Sequence, residues 1–149
     1  MILIDANVLI YAYNDEAAFH YECRQWLGDA LSNTRMVGFA WQSITAFIRI
    51  TTNPRLFSEE FGQSEAIEIV ESWLNLPNVR ILGPTDRHWV IFKRLMIEGR
   101  LTGPKIMDAH LAALAIEYGA VLATTDRDFL GFAGLTVLNP TTNNLGANG

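Results

Sequence analysis

The chain has 149 residues, 50% of them hydrophobic and 18% charged, with a net charge of −5 and one cysteine. A single core is expected at this length, disorder is excluded by the apolar content, and an internal disulfide or a zinc cluster by the cysteine count and spacing. The acidic balance argues against indiscriminate binding to polyanions, and a charge content below the roughly 25% of ordinary soluble domains points to surface covered by a partner.

The opening Met-Ile-Leu-Ile-Asp has no basic n-region, and no apolar run approaches the roughly 18 residues of a membrane span. The expectation is a cytoplasmic, unexported protein with no membrane contact. Residues 2–4 read as a buried strand ending at Asp5, and Val8 to Tyr11 as the helix that follows it. From about Ala17 to Leu31, Phe19, Cys23, Trp26, Leu27 and Ala30 recur at helical spacing, which makes Cys23 a core residue. Met36 to Ala40 is a second strand, Trp41 to Thr51 a helix stopped by Asn53-Pro54, and Gln63 to Leu74 another helix. Val79 to Leu82 is a third strand and Trp89 to Ile97 a helix. A strong helix over Ile106 to Tyr118 is closed by Gly119 at C′. Strands over Val121 to Ala123 and Thr136 to Leu138 flank a turn with a short helix from Thr124 to Leu130. A domain over residues 1–140 and a frayed Asn/Gly-rich tail over 141–149 complete the chain. Short apolar strands alternating with longer helices predict an α/β fold with a mostly parallel sheet covered on both faces, whose ligands gather at the carboxyl ends of the strands.

Charge is unevenly placed. Glu59, Glu60, Glu65, Glu68 and Glu71 carry the stretch from Phe57 to Leu76 with nothing basic between them. Residues 80–105 hold Arg80, Arg87, Lys93, Arg94, Arg100 and Lys105 against Asp86 and Glu98, six minus two, or +4. Two solvated helix faces and a binding surface are both open readings.

Four aspartates fall at one predicted sheet edge: Asp5 after the first strand, Asp108 in the first turn of the Ile106 helix, and Asp126 and Asp128 after the fourth strand. Taken singly, each has a structural use. Asp5 suits a helix cap, Asp108 complements a helix dipole, and Thr125-x-x-Asp128 fits a capping box. Taken together they would repel one another unless protonated or joined by a cation, and hard oxygen donors without His or Cys suit Mg²⁺ or Mn²⁺. His88 and His20 show no partners in the sequence, and His110 reads as a satisfied or surface histidine rather than a general base. Arg49 is either a surface arginine or a phosphate contact. The tryptophans at 26, 41, 73 and 89 read as core or interface.

Met1 to Tyr11, Met107 to Ala115 and Ala123-Thr-Thr-Asp-Arg-Asp-Phe129, in this order, resemble the PIN-domain ribonucleases of the VapC toxin type over about residues 1–140. The resemblance implies a three-layer α/β/α fold and an Mg²⁺- or Mn²⁺-dependent endoribonuclease, active on structured RNA, within a VapBC-type toxin–antitoxin system. It further implies a VapB-type antitoxin and a homodimer. Carried over by position, Asp5 and Asp108 are the principal metal ligands, Asp126 is a further one, Asp128 a supporting carboxylate, and Asn7 orients Asp5. One departure stands out: the family's glutamate in the helix after the second strand is absent, its slot falling at Phe47, with Gln42 the nearest polar substitute. A catalytically weak module that binds RNA or protein is the alternative reading. Receiver domains, which need a mid-chain aspartate, and Asp-x-Asp phosphatases fit poorly, because this chain reads Asp5-Ala6-Asn7.

Overall fold

Ile2, Leu3 and Ile4 form the first strand, β1, and all three are buried because their side chains alternate between two cores. The computed structural model describes residues 1–142, and the expected tail lies outside them from residue 143 onward. Thr141 and Thr142 still belong to a turn, their backbone N–H groups donating to the Asn139 side chain and carbonyl.

Strands β1 (Ile2–Ile4), β2 (Val37–Phe39), β3 (Val79–Ile81), β4 (Val121–Ala123) and β5 (Thr136–Leu138) form one parallel sheet in the order β3-β2-β1-β4-β5. Helices α1 (Ala6–Tyr13), α2 (His20–Ser32), α3 (Trp41–Thr51) and α4 (Gln63–Leu74) pack on one face with Ile2 and Ile4. Helices α5 (His88–Gly99) and α6 (Lys105–Glu117) cover the other with Leu3, joined by a 3₁₀ turn over Arg127–Gly131 through Phe129. The three-layer α/β/α architecture follows from parallel strands whose crossovers must run over both faces.

On the first face Trp73 anchors an aromatic cluster, stacked on Phe39 at 5.3 Å between centroids and packed on Phe47 at 4.9 Å. Its Nε1 donates to the Tyr13 hydroxyl at 3.3 Å. Phe47, the slot of the missing glutamate, is fully buried here, so the position is core and not part of an acidic site. Trp41 and Trp89 are exposed, which assigns them to the surface, whereas Cys23 is in the core as expected. Gly38 in β2 lets Leu82 approach, since a Cβ there would lie 2.5 Å from the leucine Cδ1. Gly119 takes φ +62 after α6, which is why the helix ends there.

Candidate functional site

The sheet order puts β1 beside β4, so the residues following Ile4 and Ala123 emerge side by side at the carboxyl edge. Asp5 turns the chain into α1 and caps it, its Oδ1 accepting from the Ala6 N–H at 2.8 Å. Its Oδ2 accepts from the Thr124 hydroxyl at 2.8 Å and from Asn7 Nδ2 at 3.2 Å. Asn7 also reaches the Thr124 hydroxyl at 3.2 Å, and its Oδ1 accepts the Thr125 N–H at 3.3 Å. Asn7 therefore orients Asp5 while tying α1 to the end of β4.

Thr124 is the residue that sequence reasoning missed. Its hydroxyl donates to Asp5 and accepts from Asn7 and from the Asp126 N–H at 3.0 Å, which uses the one donor and two lone pairs a hydroxyl has. It is buried, and it couples two aspartates from distant parts of the chain. Asp126 caps the 3₁₀ turn by accepting the Asp128 N–H at 2.9 Å, so Asp126 rather than Thr125 is the capping residue. Asp128 lies outermost, exposed and paired with Lys105 Nζ at 2.9 Å.

Asp108, half-buried in the first turn of α6, has a carboxyl raised above the usual range by burial and then by the charge of Asp126, with Lys105 acting in the opposite direction. Burial likewise raises Asp5; the hydrogen bonds from Thr124 and Ala6 only partly counter it, and Asp108 and Asp126 add to the rise. Asp128 holds the Lys105 ammonium above its ordinary range. These shifts describe carboxylates within electrostatic reach of one another and short of positive charge. Among the described residues no three His, Cys, Asp or Glu side chains close into a finished ligand set. The all-oxygen donors and raised carboxyls nevertheless fit a hard divalent cation such as Mg²⁺, which keeps several waters and touches one or two carboxylates.

Other candidates fall elsewhere. Arg49 is exposed in the last turn of α3, ~12 Å along the axis from the helix end nearest the acids, and is not brought to the site. Gln42 sits at that nearer end, its Nε2 donating to the Met107 carbonyl at 3.4 Å and its buried Oε1 unpartnered. The expectation that His88 and His20 lack partners is overturned. His20 Nδ1 lies 2.9 Å from the Tyr11 carbonyl oxygen. His88 bridges the buried Glu117 carboxylate, 2.6 Å from Nδ1, and His110, 2.9 Å from Nε2. Glu117 also accepts the Thr85 N–H at 2.7 Å. Burial and then His88 hold the His110 imidazole below its ordinary pKa. His110 and Asp108 are two residues apart on α6, about 200° around the helix, so this chain locks α6 to α5 on the side away from the acid.

Asp5 and the Asp126–Asp128 turn follow two neighbouring parallel strands, Asp108 opens α6, and the PIN domain family matches residues 2–135. The chain is 39% identical to Ribonuclease VapC37 of Mycobacterium tuberculosis, with 91% of this chain and 94% of that protein covered. It is 34% identical to Ribonuclease VapC43 of the same species over 94% and 95%. Among solved structures, VapBC2 from Rickettsia felis bound to a DNA fragment from their promoter matches with a TM-score of 0.66 and 17% identity, covering 93% of this chain and 98% of that one. Mycobacterium tuberculosis VapC20, described as a sarcin-ricin loop cleaving toxin, matches at 0.64 and 16%, covering 91% and 99%. The chain belongs to the PIN-domain family and, within it, to the VapC ribonuclease toxins.

Proposed function

We propose that this protein is the metal-dependent endoribonuclease of a VapBC-type toxin–antitoxin pair and that it hydrolyses phosphodiester bonds in structured RNA at the Asp5, Asp108 and Asp126 edge. The observation that carries the reading is the raised carboxyls of residues 5 and 108 within electrostatic reach of Asp126, with hydrogen bonds fixing Asp5 and Lys105 only partly offsetting the charge at Asp108. Asp5 and Asp108 would hold Mg²⁺ or Mn²⁺, with Asp126 a further ligand directly or through water. Such a cation, when bound, supplies charge stabilisation at the scissile phosphate and a more acidic water. Thr124 and Asn7 hold the Asp5 carboxylate in one orientation at the end of β1. Asp126, supported by Asp128 and its Lys105 partner, would orient the attacking water. A VapB-type antitoxin and a second copy of the chain are the expected protein partners, by analogy with the toxin–antitoxin complexes among the structural relatives. The setting is the cytoplasm; no helix among the described residues is long and apolar enough to cross a membrane.

The test is cleavage of a structured RNA with Mn²⁺ or Mg²⁺ by wild type, Asp5→Ala and Asp108→Asn. Loss of at least about a hundredfold in both variants is expected, the scale of removing one element of transition-state charge stabilisation. Equal activity in all three ends the proposal, and an inert wild type that still binds RNA leaves a non-catalytic binding module.

A further inference from the structure

Beside the acidic edge, α5, α6 and the 3₁₀ turn line a cavity of about 280 Å³ whose apolar part has no role in the reaction as described. Leu95, Leu101 and Phe132 supply apolar walls, and Asp108 and Asp128 belong both to this lining and to the acidic edge. Glu98 adds a third carboxylate, paired with the Arg94 guanidinium at 3.2 Å, and Lys105, the one ammonium there, is committed to Asp128. With both cations already paired and the Asp108 carboxyl left over, the lining disfavours a phosphate or carboxylate as occupant, whereas apolar walls favour a neutral, flat group bearing N–H donors that the rim carboxylates can accept. An RNA strand carries one such group per nucleotide, and ribonucleoprotein recognition commonly places unstacked bases against aromatic side chains. Phe132 is half-buried and tilted on Phe129 at 5.8 Å, so its own support is rigid while part of the ring stays accessible.

Resting on the ribonuclease reading, we infer that this cavity receives one unstacked nucleobase of the RNA whose backbone lies at Asp5, Asp108 and Asp126, and so helps choose the bond that is cut. A base held here is anchored beside Asp108, which fixes the register of the neighbouring phosphates. Gly131, in the lining, offers a probe: a Cβ there meets no atom within 4 Å and its φ is not in the left-handed region, so a side chain can be added without backbone strain.

The experiment uses single-stranded RNA dodecamers carrying one 2-aminopurine, with Ca²⁺ replacing Mg²⁺, and the full chain as wild type, Gly131→Leu, Phe132→Ala and Phe132→Trp. Expected are a change in 2-aminopurine emission on binding wild type and a fall in affinity of about tenfold for Gly131→Leu and Phe132→Ala, the scale of losing one base–aromatic stack. Phe132→Trp should retain binding. Melting temperatures guard against misfolding, and because one variant adds bulk to the lining and the other removes it, agreement between them is not a folding artefact. Equal RNA affinity in all four proteins overturns the inference and leaves the cavity to a protein side chain. Pocket-dependent binding by a wild type that cuts no RNA with Mn²⁺ would overturn the ribonuclease reading while the base site stands; no RNA binding at all overturns both.

Discussion

Thr124 shows how much one hydroxyl can organise. Thr124→Val keeps the shape but strands the Asn7 and Asp126 donors and frees Asp5 of its shortest side-chain partner. A loss of about 1–3 kcal/mol is expected, read as a lower urea midpoint. Cleavage should fall at least about tenfold, because Asp5 is no longer held in one orientation. The acids themselves carry a pH signature. Asp5 and Asp108 bind a proton more tightly folded than unfolded, so their contribution opposes folding at neutral pH. That penalty is relieved as pH falls through the raised folded values and is gone below the ordinary 3.8. In EDTA the difference in melting temperature between wild type and Asp108→Asn should therefore shrink from pH 7 to pH 4, and saturating Mn²⁺ at pH 7 should raise the wild-type midpoint alone. A difference that widens on acidification would contradict this.

Among the elements, α6 matters most, since one side of it presents Asp108 and the other is gripped through His110, His88 and Glu117. His88→Ala leaves the buried Glu117 side chain with the Thr85 N–H alone and takes the partner from His110, so it should cost about 3 kcal/mol in denaturant unfolding. A double change of His88 and Glu117 to apolar residues should cost less than the single one, which a double-mutant cycle would reveal. Helix α3 carries the opposite lesson. Restoring the family's acid with Phe47→Glu should not enhance cleavage; it places a carboxylate against Trp73 and Tyr13 and should destabilise by about 4 kcal/mol or more. Faster turnover in Phe47→Glu would show that the slot faces the site after all.

For the whole molecule, a net charge of −5 coexists with a +4 stretch over residues 80–105, of which Arg80, Arg87, Lys93, Arg100 and Lys105 are exposed. RNA affinity should weaken with salt, and replacing Lys93 and Arg100 together by Ala should reduce the slope of log affinity against log salt by about one to two. An unchanged slope would remove this face from the RNA path.

The same scale separates what the chain itself dictates from what folding adds. Periodicity alone placed α3 and α4 to the residue, the central strands β1 and β4, and Gly119 as a terminator, because burial on one face of a regular element writes its period into the sequence. It also put Asp5 and Asp126 just after β1 and β4, which pair in parallel, and Asp108 in the first turn of α6. Thr124 and the Glu117–His88–His110 chain were not legible, since a threonine after a strand or a glutamate late in a helix looks solvated until a partner arrives from elsewhere. Thr124 meets Asp5 across 119 residues and His88 meets Glu117 across 29, distances over which no local pattern speaks. The exposure of Trp41 and Trp89 was likewise decided by packing, because helical spacing marks a face but not what covers it. Local physics thus chose the elements and their acids; only the close approach of β1 to β4 and of α5 to α6 decided which polar groups were dehydrated and therefore had to find each other.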